Sequence, residues 1–100
     1  MGNTEFAYNA EKIVEEYIID FYSKHLDDRY TEKLYEMLGT NGCVYIVWMC
    51  KALQNNKALL STDIEDGVYY EVTYNGDKNE FYLDVYKKTD NIVIKTKEVK

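Results

Sequence analysis

Proline is absent from the 100 residues, histidine and tryptophan occur once each, cysteine twice and glycine five times. Each scarcity removes a class of chemistry. Without proline, turns fall to Gly, Asn and Asp, which tolerate or hydrogen-bond a reversing backbone. One histidine and no close cysteine pair provide no metal-ligand spacing. The glycines are scattered, so no loop is built to cradle phosphate. The longest uncharged apolar run, Cys43-Val44-Tyr45-Ile46-Val47-Trp48-Met49-Cys50, is far shorter than a membrane span. Met1-Gly2-Asn3-Thr4-Glu5 lacks the basic and apolar regions of a secretion signal. Phe6 stands where a myristoylation start carries a small hydroxyl residue. These absences predict a cytoplasmic protein with Cys43 and Cys50 as buried free thiols in a reducing compartment.

Bases are also in short supply. Lys and Arg number 12 against 18 Asp and Glu, for a net charge of −6. The imbalance sits in residues 1–50, which hold nine acids and four bases, whereas residues 51–100 hold nine acids and eight lysines. Neutralising phosphates requires clustered Lys and Arg, so direct nucleic-acid binding is not expected. A basic protein surface is the partner that this balance suits.

Catalytic constellations are missing as well. His25 has Asp27 and Asp28 nearby but no nucleophile placed beside it, since Ser23 points off at a wide angle on a helix. A cation at a helix C-terminus suits the dipole without further purpose. Thiols in an apolar setting are inert, and paired surface carboxylates stay solvated and ionised. The expectation is a non-enzymatic protein with no cofactor and no metal.

What is present is apolar periodicity and tyrosine, eleven residues against three phenylalanines. From Asn9 to His25, Ile13, Val14, Tyr17, Ile18, Phe21 and Tyr22 recur at helical spacing, with Asn9 as the N-cap. Glu11, Glu15, Glu16 and Asp20 lie opposite that stripe, and the like charges at i,i+4 cost a few tenths of a kcal/mol each. A second helix is predicted from Asp27-Asp28 through Tyr30, Leu34, Met37 and Leu38 to Gly39. The Cys43–Cys50 run has strand-forming residues but helix-like length. Because it is apolar on every side it is read as a buried third helix, about Gly42 to Asn55.

Beyond Asn56 the period becomes two. Leu60, Thr62 and Ile64 mark either a short strand or, from the Thr62/Glu65 spacing, one helical turn. Asp66-Gly67 is a turn. Val68–Tyr74, Glu80–Lys87 and Ile92–Thr96 read as strands, separated by turns at Asn75-Gly76-Asp77-Lys78-Asn79 and Lys88-Thr89-Asp90-Asn91. Val68, Tyr70, Val72 and Tyr74 with Phe81, Leu83, Val85, Ile92 and Ile94 form the expected core face. Tyr69, Glu71, Thr73, Tyr82, Asp84, Tyr86, Val93, Lys95 and Lys97 form the other. The expected fold is one α+β domain over residues 1–100, two to three N-terminal helices packed on one face of a three- to four-stranded antiparallel β-meander.

Phe21-Tyr22, Asp27-Asp28-Arg29-Tyr30 and Leu34-Tyr35, followed by a curved meander, resemble the opening and close of NTF2-like (cystatin-like) domains. That resemblance covers about half the chain and implies a small ligand-binding or dimerisation domain. The predicted buried helix departs from it where the family needs strand. Small, acidic, tyrosine-rich chains without catalytic chemistry also resemble anti-CRISPR and other phage-encoded inhibitors, and bacterial immunity proteins. This second resemblance implies an inhibitor that covers a basic partner surface, such as that of a nuclease, in part by imitating DNA. The candidate contacts are Glu11, Glu15, Glu16 and Asp20 on the first helix and Tyr69, Tyr82, Asp84 and Tyr86 on the sheet. Pairing of two sheet faces in a homodimer is a further reading.

Overall fold

A computed structural model of the chain describes residues 1–25, 43–64 and 66–98. Among them are one α-helix, α1 (Asn3–His25), and four strands: β1 (Val44–Ala52), β2 (Asn55–Thr62), β3 (Val68–Asn75) and β4 (Glu80–Lys87). The strands form an antiparallel sheet in the order β1-β2-β3-β4. The chain is thus α+β, with a helix laid on one face of a four-stranded meander.

The helix is longer than its periodicity suggests. It begins six residues before Asn9, with the Gly2 carbonyl accepting the Phe6 amide at 2.9 Å. Asn9 is therefore not a cap: it lies inside the helix and donates from its side chain to the Glu5 carbonyl at 2.9 Å. The buried stripe is Phe6, Ala10, Val14 and Ile18, one residue every four. Side chains at this spacing stack on one face. They pack on Ala58, Leu60, Tyr70, Val72 and Tyr74 of the sheet. Burying Phe6, Val14 or Ile18 contributes up to about 1.5–3 kcal/mol each.

The expected third helix is not there. Gly42 to Asn55 was assigned to it because the run is apolar all round, yet Val44–Ala52 is β1 and Leu53-Gln54 is the two-residue turn into β2. Branched and aromatic residues decide the matter: Val44, Tyr45, Ile46, Val47 and Trp48 suit a pleated surface better than a helix. The run is apolar for two separate reasons, since Cys43 and Val44 face the core while Tyr45, Val47 and Trp48 do not. The second predicted helix, Asp27 to Gly39, lies outside the described residues.

The predicted strands at Val68–Tyr74 and Glu80–Lys87 are β3 and β4. The segment around Leu60 and Thr62 is a full strand, β2, not a helical turn. Ile92–Thr96 is not a strand of this sheet. It runs unpaired after β4 and ends in a short 3-10 helix, Thr96–Glu98.

Two ties close the edges of the packing. Tyr22 of α1 donates its hydroxyl to Asp66 Oδ2 at 2.6 Å, across the turn between β2 and β3. Asp66 Oδ1 accepts the Val68 amide at 3.1 Å, and Gly67 between them holds a φ of 68° that glycine adopts without strain. At the opposite end, Asn55 Oδ1 accepts the Gly76 amide at 3.3 Å, joining the β1–β2 turn to the β3–β4 turn.

Candidate functional site

Strand pairing sorts the side chains into two faces. Tyr70 pairs with Val85, Val72 with Leu83 and Tyr74 with Phe81, and this set lies toward α1. Tyr69 pairs with Tyr86, Glu71 with Asp84 and Thr73 with Tyr82, so by alternation these six point away. The same alternation adds Lys57, Leu59 and Ser61 from β2, and Tyr45, Trp48 and Cys50 from β1. No described element covers this open face.

Its composition is unusual for a solvated surface. Trp48 is 43% exposed, Tyr45 44%, Tyr82 40% and Tyr86 50%, beside the half-buried Leu59 and Tyr69. The pairing register shifts between Ile46 and Trp48, which leaves Val47 as the extra residue of a β-bulge. Bulges re-aim side chains and raise local twist. Here the bulge sets Trp48 against Leu59. These rings stand on the two outer strands, Tyr45 and Trp48 on β1 and Tyr82 and Tyr86 on β4, with Leu59 and Tyr69 between them, and amphipathic rings give contact area at low entropic cost.

The electrostatics of the face are acidic. Lys57 Nζ pairs with Glu71 Oε1 at 3.2 Å. Asp84 stands directly opposite Glu71 on the neighbouring strand, and among the described residues no cation pairs with it. Like charges facing each other across a ladder are destabilising. Tyr82 donates to Glu80 Oε2 at 2.6 Å, and that hydrogen bond raises the phenol's pKa.

Two concavities flank the rings. Pairing between β2 and β3 stops at Leu60–Tyr70, although β2 continues to Thr62 and β3 starts at Val68. The strands part there, and a cleft of about 420 Å³ opens beside Tyr45, Ser61, Tyr69 and Lys88. The other concavity, about 360 Å³, lies by Cys50, Lys57, Thr73 and Tyr82. By contrast, the cavity under the C-terminal end of α1, between Tyr17, Phe21, Tyr70 and Val85, is only about 130 Å³. Small-molecule sites run to roughly 300–1,000 Å³, so this gap is a packing defect in size.

The eight residues expected at a contact surface divide between two sides of the molecule. Tyr69, Tyr82, Asp84 and Tyr86 come together on the open face. Glu11, Glu15, Glu16 and Asp20 lie on α1, across the sheet. Two of those acids are already partnered within the helix, Glu15 by Lys12 at 3.7 Å and Asp20 by Lys24 at 3.1 Å. Glu11 is part-buried, and desolvation, then the nearby Glu15 charge, push its carboxyl pKa up. One flat partner therefore cannot meet both groups. Tyr45, Trp48 and Cys50 of the open face are missed from sequence because their run reads as core, and Leu59 because only Leu60, Thr62 and Ile64 mark its segment.

The two thiols differ. Cys43 is buried and its pKa is raised, mainly by that burial. Cys50, expected to be buried as well, is exposed on the open face. Among the described residues, no three His, Cys, Asp or Glu side chains converge as metal ligands would, and no helix is long and apolar enough to cross a membrane.

Residues 12–96 match the family of unknown function DUF6275, and the chain belongs to that family. No curated protein and no solved structure matches it.

Proposed function

For a member of a family of unknown function, we propose that the chain is a non-enzymatic protein-binding domain that docks through the open face of its sheet and blocks a basic surface of its partner. The observation that carries this reading is the exposure of Trp48, Tyr45, Tyr82 and Tyr86 together on one uncovered face. A single exposed ring is ordinary, but several on one sheet face, spread here from β1 to β4, suit an interaction surface. Trp and Tyr are also the residues that dominate binding energy when a partner desolvates them. Glu71, Asp84 and Glu80 on the same face outnumber Lys57 and Lys88, which supports a partner with Lys or Arg around its contact. Such charge matching speeds association and weakens as salt rises.

In this reading Trp48 and Tyr86 are the anchors, and Glu71 and Asp84 select the basic rim. Covering a nuclease or another nucleic-acid-binding protein at its phosphate-binding surface is the inhibitory version of the same contact, and the net charge of −6 suits it. The small-ligand alternative regains one feature, since a strand at Val44–Ala52 stands where the NTF2-like resemblance needs one, but the described cavity under the end of α1 is only about 130 Å³.

Affinity capture from a lysate with three versions of the chain tests the proposal: wild type, Trp48→Ala/Tyr86→Ala, and Glu16→Lys/Asp20→Lys. The expected result is a basic protein that elutes with salt from wild type and from the helix variant, and is lost from the sheet variant. Retention by the sheet variant with loss from the helix variant would move the contact to α1 and overturn the assignment.

A further inference from the structure

We infer that the C-terminal segment Ile92–Thr96 is a strand that pairs with the β4 edge of a second copy of the chain, giving a strand-exchanged homodimer. The inference stands apart from the open-face contact and rests on different residues. Ile92 is 74% exposed, Val93 78% and Ile94 62%. Three consecutive β-branched residues in water, outside any ladder, are a strand sequence without a sheet. Among the described residues β4 offers the matching vacancy: it is an edge strand of eight residues with no register shift against β3. Such an edge presents a row of backbone donors and acceptors to another chain.

The faces and charges agree. In an antiparallel pairing that places Ile94 of one copy opposite Val85 of the other, Lys95 falls opposite Asp84. Ile94 then extends the apolar row of Phe81, Leu83 and Val85, which is only partly covered by α1. Lys95 supplies the cation that Asp84 lacks among the described residues. Residues 88–97 carry three lysines against one acid, a basic tail on an acidic body.

The backbone favours exchange over folding back. Lys88 donates its amide to the Gly67 carbonyl at 2.7 Å, and Lys87 Nζ bonds the Asp66 carbonyl. The chain at residue 88 is thus still held in line with β4 against the start of β3, and residues 88–95 then run on without a turn or a ladder. A strand whose hairpin partner is intramolecular in sequence but unpaired in the fold closes on a second copy at low cost.

The test is sedimentation at micromolar concentration combined with cross-linking. Wild type is expected to be a dimer, and Ile92→Lys/Ile94→Lys, which alters only exposed positions, is expected to weaken self-association about tenfold or more. In a Cys50→Ser background, a chain with Val85→Cys mixed with one carrying Ile94→Cys should oxidise to a covalent heterodimer. A wild-type monomer overturns the inference. So does a dimer indifferent to the lysine substitutions, or a Val85→Cys/Ile94→Cys double variant that cross-links only within one chain.

Discussion

Gly76 has no side chain for a physical reason. A Cβ at this position would collide with the carbonyl oxygen of Gln54, and the Gln54 Cβ would sit 2.8 Å away. The β3–β4 turn and the β1–β2 turn touch backbone to backbone here. Gly76→Ala should therefore destabilise the fold by about 1–3 kcal/mol, the range for overpacking a tight site, seen as a lower urea midpoint. Tyr22 makes the second residue-level prediction. Burial first, then its hydrogen bond to Asp66, pushes its phenol up to about 12 from an ordinary 10. The folded state holds that proton more tightly than the unfolded state does, so stability is fully present below pH 10 and falls as pH rises from 10 toward 12. Tyr70 is raised too, chiefly by burial, and acts in the same direction. Urea titrations across pH 9 to 12 should show this loss for wild type, and a shallower one for Tyr22→Phe.

At the scale of elements, the two-residue period made β3 and β4 readable, because one face of β3 packs on α1 and the apolar row of β4 continues that face at its edge. Phe6 and Ala10 escaped notice since alanine is weak as an apolar marker, and Asn9 drew the helix start to itself. The larger error was β1. Uniform apolarity implies burial on all sides only if every apolar residue is there for the core. In β1 half of them are there for the exposed face, and no periodicity separates the two uses. The NTF2-like resemblance rested partly on Asp27-Asp28-Arg29-Tyr30 and Leu34-Tyr35, which the described residues do not include. A strand at β1 makes a chemical prediction that a buried helix does not. Cys50 should react with a thiol reagent in the native protein within seconds to minutes, whereas Cys43, buried and with a raised pKa, should react only on unfolding. Slow labelling of both thiols would return the run to the core.

For the whole molecule, one sheet face packs on the helix and, among the described residues, no element covers the other. The division of the expected contact residues between opposite sides narrows the proposed contact to one face of the sheet. That surface was half legible in sequence: Tyr69, Tyr82, Asp84 and Tyr86 followed from alternation, while Tyr45 and Trp48 required the strand order to bring β1 beside β2. The chain's single tryptophan then serves as the probe. Fluorotryptophan incorporated at position 48 provides one fluorine resonance within the proposed contact. On addition of the captured partner, that resonance should shift and lose its sensitivity to solvent isotope exchange, as a ring leaving water must. A saturated complex in which the Trp48 resonance keeps its position and its solvent sensitivity would contradict the assignment of the open face as the binding surface.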